Sequence, residues 1–343
     1  MLTVLIATRN GSLTLPRVLQ AYTGLLEPAS GWKLVVIDNR SQDDTRYIVN
    51  SFRDRLPLTY MYEGRLGKNA ALNTGLVELE GDLAVFADDD AFPRPDWLVQ
   101  LRTTADEHPS YSMFGGTILP LWQAPPPPWL SYVPAAAFFA LTDPAMKEGP
   151  TEAGTLFGPN MAVRAEVFHR GARFDESIGP CGRDYAMGGE TEFVQRLARQ
   201  GHKAWHVQRA VVQHYIRDYQ MQKSWLLKRA IRFGRGQFRL SQWEQPCEFP
   251  EWPAVAVRLA PRICRRIVRI VAAWLAAREE DLFTTQRELN FNRGILLEAY
   301  RQHCQLSIPG CRPLVTIRAQ QSLAAQGRPA MRTSVAELTS AEP

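Results

Sequence analysis

Three adjacent carboxylates, Asp88-Asp89-Asp90, follow directly on the apolar run Leu83–Ala87. Side by side they repel one another. A hard divalent cation with oxygen ligands would offset that repulsion, and Mg2+ or Mn2+ typically also holds substrate phosphates. An isolated acidic triplet is more often a solvated turn, but its position here tips the reading. Leu2–Ala7 and Leu34–Ile37 are likewise apolar runs that end in polar sets, Thr8-Arg9-Asn10 and Asp38-Asn39. In open α/β sheets, ligands bind outside the carboxyl ends of the strands. Farther along, Glu190 and Glu192 follow the glycine-rich stretch Gly179–Gly189, and His214 follows the strand-like run Ala204–Val212. Either glutamate fits a first-turn helix acid stabilised by the dipole.

The elements that must position these residues alternate strand and helix. Leu2–Ala7, Leu34–Ile37, Leu58–Tyr62 and Leu83–Ala87 read as short buried strands. Between them Leu13–Leu26, Thr45–Phe52 and Gly67–Leu79 carry helical spacing, so the pattern predicts an α/β domain with a largely parallel sheet. The middle is less regular. Pro125–Pro128 predicts a stiff surface loop flanked by Trp122 and Trp129, whose rings either stack on a ligand or pack. Gly154–Ala162 and Gly179–Gly189 read as loops, Thr191–Gln200 as a helix closed by Gly201, and the chain beyond Ser224 as helical and basic.

In order and spacing these segments resemble glycosyltransferase family 2, the inverting nucleotide-sugar transferases of GT-A fold. The resemblance rests on Thr8-Arg9-Asn10, Val36 to Asp43, Gly67-Lys68-Asn69-Ala70-Ala71-Leu72-Asn73 and Phe86 to Pro93. It continues through Gly158-Pro159-Asn160-Met161-Ala162, Gly188 to Phe193 and His214, and covers about residues 1–235. It implies a Rossmann-like, mostly parallel sheet flanked by helices, with a helical basic C-terminal extension. It also implies that Thr8, Arg9, Asn10, Asp38, Lys68, Asn73, Asp88 and Asp89 bind the nucleoside-diphosphate sugar, Asp38 at the base or ribose and Asp88 near the ribose. Asp90 and His214 would hold Mg2+ or Mn2+, and Glu190 would be the general base. Two departures stand out. Gly189-Glu190 replaces the usual Glu-Asp pair, which leaves Glu192 a competitor for the base. No Gln-x-x-Arg-Trp motif is present, and Gln222-Lys223-Ser224-Trp225 matches it only in part, so single additions are implied.

The implied chemistry is a single displacement on a hydroxyl of a glycan or lipid-linked acceptor, turning an α-linked donor into a β-linked product. A metal neutralises the leaving diphosphate, and one carboxylate takes the hydroxyl proton. A nucleotidyltransferase of similar fold remains an alternative, although Gly11 alone does not make the Gly-rich, basic loop such enzymes use. A catalytically degenerate glycan-binding or scaffold member is the other.

Composition limits the remaining classes. With 45% hydrophobic and 22% charged residues in 343, disordered, collagen-like and coiled-coil chains are excluded. Cys181, Cys247, Cys264, Cys304 and Cys311 never form Cys-x-x-Cys, so neither a zinc site nor a disulfide framework is expected. The longest apolar runs, Ala135–Leu141 and Ile270–Ala277, fall far short of the ~20 residues of a transmembrane helix. Met1–Ala7 lacks a basic lead and a cleavage site, which predicts a cytoplasmic chain. Residues 1–200 hold 18 basic and 24 acidic side chains, hence −6; residues 201–343 hold 22 and 11, hence +11, and the two sum to +5. Arg258, Arg262, Arg265, Arg266 and Arg269 share one helical arc, with Ile263, Ile267, Ile270, Val271 and Trp274 opposite. That predicts peripheral attachment to an anionic membrane surface on its inner face, or a helix packed on the catalytic domain. Nucleic acid is not expected, since no binding motif accompanies the charge. The expected organisation is a transferase domain over 1–235, a helical extension over 236–311 and a flexible tail over 312–343.

Overall fold

The computed structural model describes residues 1–182, 184–244 and 252–306; Cys247, Cys311 and the expected tail lie outside the described residues. The N-terminal alternation consists of β1 (Leu2–Thr8), α1 (Leu15–Tyr22), β2 (Trp32–Asp38) and α2 (Thr45–Asn50). It continues with β3 (Leu58–Tyr62), α3 (Lys68–Gly75) and β4 (Leu83–Asp88). These strands pair in parallel in the order β3-β2-β1-β4. The near-continuous apolar runs of β1, β2 and β4 are explained by helices on both sheet faces. Helix α1 is shorter than its apolar pattern, because Leu13 and Leu26 at its flanks face solvent.

The irregular middle holds more order than its sequence suggests. It comprises β5 (Ala91–Pro93), α4 (Trp97–Glu107), β6 (Met113–Trp122), α5 (Ala135–Phe139) and β7 (Gly149–Thr151). Then come β8 (Met161–Arg164), α6 (Ala165–His169), α7 (Gly189–Arg199) and β9 (Ala204–Ile216). The nine-stranded sheet continues β4-β8-β6-β9-β5, with β7 also on β9. Here β6 and β9 are parallel to each other, whereas β8, β5 and β7 run antiparallel to their neighbours. One apolar cluster, around Val4, Ile6, Trp97 and Phe114, fills one face; a second, around Leu5, Ile37, Phe86 and Phe193, fills the other.

Among the described residues three helices follow: α8 (Lys223–Glu244), α9 (Trp252–Leu275) and α10 (Glu279–Leu306). Helix α8 runs through residue 235. It meets α10 at very short range, because a Cβ on Gly234 would lie 1.9 Å from the Phe291 carbonyl oxygen. A buried carboxylate, Glu298, locks the pair by accepting from Arg235 Nε at 2.8 Å and Arg239 Nε at 2.6 Å. Asp184 joins Arg235 and Arg301, and the Met187 N–H donates to the Arg232 carbonyl, so α8 also braces the loop leading into α7.

Helix α9 uses Val255, Leu259 and Ala273 as its buried face. Arg258, Arg262, Arg265 and Arg269 are exposed on one flank. On the other flank Ile267, Val268, Val271, Trp274 and Leu275 are also exposed, Trp274 by 69%. Only Ile263 of the expected apolar stripe is drawn into the small core beside Val255 and Phe238. Among the described residues no helix is long and apolar enough to cross a membrane.

Candidate active site

Parallel register brings the polar strand ends to one level. Thr8 lies opposite Asp38 across β1 and β2, and Ala7 opposite Asp88 across β1 and β4. The loops after β1 and β2 brace each other. Asn10 accepts the Gln42 N–H and donates its own to Ser41, while the Ser12 N–H reaches Asp43. Arg9 is exposed at the loop tip. Asp38 is buried and fully engaged, accepting the Ser41 N–H at 2.8 Å and the Tyr60 hydroxyl at 2.9 Å. Burial and that carboxylate push the Tyr60 phenol up to about 12.

The three aspartates fan out, each to a different partner. Asp88 accepts from Lys68 Nζ at 2.6 Å, and Asp89 from the Thr8 hydroxyl at 2.5 Å. Asp90 accepts from Arg217 Nη1 at 3.0 Å and faces His214 Nε2 at 3.3 Å. Burial raises the Asp88 carboxyl, and Lys68 offsets only part of that. Burial and the neighbouring Asp90 lift Asp89 to about 7. Burial would lift Asp90 too, but His214 and Arg217 hold it at about 2. Lys68, His214 and Arg217 therefore offset part of the repulsion within the triplet.

Glu190 joins the same network. Its Oε1 accepts from the other side of Lys68 Nζ, again at 2.6 Å. Burial opposes ionisation of Glu190, yet Lys68 prevails and keeps the carboxyl below its ordinary value. The approach requires a glycine, since a Cβ on Gly158 would fall 2.7 Å from Glu190 Oε1. Glu192, two positions on, points elsewhere. It is 1% exposed and forms a two-pronged pair with Arg196 one turn along α7.

His214 sits opposite Ala91 in the β5–β9 pairing. Its Nδ1 lies 2.6 Å from the Phe139 carbonyl, which can only accept, so Nδ1 carries the proton. In the neutral ring, Nε2 therefore turns a lone pair toward the Asp90 carboxylate. Burial favours that neutral form, but Asp90 outweighs it and raises the His214 value. A lone pair and a carboxylate oxygen converging at this range, with the second ring nitrogen anchored to a backbone carbonyl, is donor chemistry suited to a divalent cation. Among the described residues no three His, Cys, Asp or Glu side chains form a ready-made cluster for a metal ion. Asp90 and His214 thus fit a site that substrate phosphates would have to complete, as Mg2+ sites commonly require.

Not every motif residue reaches this centre. Asn73 is consumed by the Phe174 backbone, donating to its carbonyl at 2.9 Å and accepting its N–H at 2.9 Å. Asn160 is fully buried, holding the Trp97 indole and the carbonyls of Thr117 and Ala210. Trp122 packs edge-on against Phe139, and Trp129 against Phe283 beneath Lys223. Arg217 and Arg229 were not legible as site residues. Arg217 lies just past β9 within a generally basic stretch, and Arg229 is one of several cations on α8, so composition does not single them out. Arg229 lies near enough to Glu190 to help hold its charge, and its buried Nε has no hydrogen-bond partner among the described residues.

Residues 3–170 match the family model described as glycosyl transferase family 2. The chain is 25% identical over 240 residues to the glycosyltransferase AglE of Haloferax volcanii, covering 69% of this chain and 73% of that one. It is 26% identical over 167 residues to the glucosyl-dolichyl phosphate glucuronosyltransferase of the same organism, a match that spans 48% of this chain and 50% of that one. Among solved structures, the mannosyltransferase PcManGT from Pyrobaculum calidifontis, in complex with GDP-Man and Mn2+, aligns with a TM-score of 0.57. That alignment covers 90% of this chain and 88% of the other at 17% identity, a likeness of fold.

Proposed function

Because residues 3–170 belong to glycosyl transferase family 2 and the chain is a glycosyltransferase, we propose that it moves one sugar per encounter from a nucleoside-diphosphate sugar to a hydroxyl of a glycan or lipid-linked acceptor. The transfer is a single displacement that inverts an α-linked donor to a β-linked product. The observation that carries this reading is the Asp88–Lys68–Glu190 chain beside Asp90, His214 and Arg217, at the carboxyl ends of β1 and β4. Glu190 takes the acceptor proton, and Lys68 keeps it ionised at neutral pH. Asp38 and Asp88 orient the nucleoside, with the Thr8-Arg9-Asn10 loop beside them, and Arg217 adds fixed positive charge next to the diphosphate. Asp90 and His214 would hold a divalent cation, Mg2+ or Mn2+, whose chemistry there would be Lewis-acid neutralisation of the leaving group. The structural neighbour solved with GDP-Man and Mn2+ supports the donor class and the cation. The relative named for a dolichyl phosphate substrate supports a lipid-linked acceptor.

We further read residues 1–235 as the transferase unit and the helices beyond as its membrane-facing extension. Helix α9, with exposed arginines on one flank and exposed Ile267, Val271 and Trp274 on the other, suits shallow peripheral attachment to an anionic bilayer. The test is a panel of nucleotide sugars incubated with the protein and Mn2+, with and without excess chelator. Metal-dependent release of nucleoside diphosphate from one donor is expected. Full turnover in chelator removes the cation from the mechanism, and absence of binding to every nucleotide sugar overturns the function.

A further inference from the structure

Beside α5, helices α8, α9 and α10 line an open cavity of about 310 Å3 that the transfer chemistry does not use. Its apolar wall is aromatic: Phe138 from α5, Phe233 from α8 and Phe291 from α10, with Ala137 at the edge. Phe138 is one residue from the carbonyl that anchors His214, and its ring meets Phe233 edge-on at 5.4 Å. Arg229 lies 5.6 Å from the other partner of that contact, the Phe233 ring centroid. The cavity therefore shares Phe233 with a cation that reaches toward Glu190.

The polar lining is sparse and unbalanced. Arg266 Nε donates to Glu288 at 2.9 Å, which neutralises one pair. Arg266 Nη1 is nevertheless buried without a hydrogen-bond partner among the described residues. Arg287 lies 5.9 Å from the Phe138 ring centroid and, among the described residues, has no carboxylate within ion-pair distance. Two guanidiniums against one carboxylate leave a net positive charge inside apolar walls. Both guanidiniums are partly exposed, and against the aromatic wall an anion would pair with them by charge-assisted hydrogen bonds. A free phosphate would leave three aromatic faces bare, and a neutral lipid would leave both guanidiniums unpaired. The volume is about twice that of a cavity known to take benzene, so roughly a dozen carbons fit. Arg266 itself belongs to α9, and the next residues on that helix, Ile267 and Val268, are exposed apolar side chains. An occupant delivered along α9 would arrive from a lipid phase.

We propose that this cavity binds a lipid phosphate, its first hydrocarbon segment lying between Phe138, Phe233 and Phe291 and its phosphate meeting Arg287 and Arg266 Nη1. As the acceptor's site it rests on the glycosyl-transfer reading; as a site for an anionic amphiphile it does not. The test titrates the full chain by calorimetry with decyl phosphate below its micelle concentration, with decanol, and with inorganic phosphate. Decyl phosphate should bind at least ten-fold tighter than either alternative. Arg287→Gln should weaken it at least ten-fold, and Ala137→Trp, at an exposed lining position, should block it. Inorganic phosphate binding as tightly would reduce the cavity to an anion site, and decanol binding as tightly would reduce it to an apolar void. Unchanged affinity in Arg287→Gln would move the binding elsewhere, and that variant decides the matter even if Ala137→Trp misfolds. Nucleotide-sugar turnover by the wild type separates the two readings. Turnover without decyl phosphate binding sinks the cavity and spares the transferase, whereas binding without turnover does the reverse.

Discussion

Replacing Lys68 by Met removes the cation that Asp88 and Glu190 share. Both oxygens lie 2.6 Å from Nζ, and the Lys68 side chain is only 16% exposed. Deleting one member of a buried ion pair costs about 3–5 kcal/mol, because the other charge is left uncompensated. The residual exposure of Lys68 and the nearby Arg229 point to the lower end, about 3 kcal/mol. For a domain of this size that corresponds to a fall in Tm of roughly 6–12 °C. Glu190 supplies the sign of the pH dependence. In the wild type Lys68 holds its carboxyl below the ordinary value, so its contribution is present above the unfolded value and fades as pH falls through the folded one. In Lys68→Met burial dominates and the folded value rises. The penalty then grows as pH rises through that value and shrinks on acidification. Urea unfolding at about pH 8 and about pH 5 should therefore show the gap between variant and wild type narrowing at the lower pH. The acid limb of turnover should move up by about 1–3 units, the ordinary effect of one adjacent charge. Lys68→Arg should restore most of both. Stability within about 0.5 kcal/mol of wild type at about pH 8, the range of a neutral surface change, or an unmoved acid limb, would refute the shared-cation argument.

Asp90→Ala should abolish metal-stimulated release of nucleoside diphosphate while circular dichroism stays native; retained stimulation by Mn2+ would place the cation elsewhere. Glu190→Gln should lower turnover by roughly 10²–10⁴-fold with donor binding retained, whereas Glu192→Gln should cost mainly stability, about 1–3 kcal/mol, through its buried pair with Arg196. The opposite pattern in kinetics and urea unfolding would exchange their roles. Changing Arg258, Arg262, Arg265 and Arg269 together to Gln should reduce co-sedimentation with phosphatidylglycerol vesicles, as should 1 M salt, where the Debye length is about 3 Å. Arg266 is left intact in that variant because it pairs with Glu288, and equal sedimentation of variant and wild type would leave α9 a packing helix.

The parts of the fold that were legible are those whose strands are buried on both faces. β1, β2 and β4 announce themselves as unbroken apolar runs, and their parallel order follows from the helices between them. The stretch from β5 to β8 gave no such signal. β5 and β7 are three residues each and β8 is four, too short for any period to register. β6 carries Gly115 and Gly116 at its third and fourth positions, just before a bulge, and a Cβ on Gly116 would strike the Asn160 amide. The missing side chain at Gly116 leaves Asn160 the room to hold the Trp97 indole and the carbonyls of Thr117 and Ala210.

The site was legible where its chemistry is contiguous. Asp88-Asp89-Asp90 is visible because three like charges adjoin, and from their repulsion alone an external cation seemed required. The fold adds partial relief from partners that sequence order hides: Lys68 is 20 positions from Asp88 and 122 from Glu190, and Arg217 is 127 from Asp90. Acids cluster along the chain while their counter-charges arrive through topology, so a local reading counts the repulsion and misses the relief. The same asymmetry explains Asn73. It lies in the motif beside Lys68, yet one helical turn and a little more carry it to the face that grips Phe174. On a helix, adjacency in a motif fixes the element but not the direction, and Lys68 and Asn73, like Glu190 and Glu192, are separated by that rotation alone.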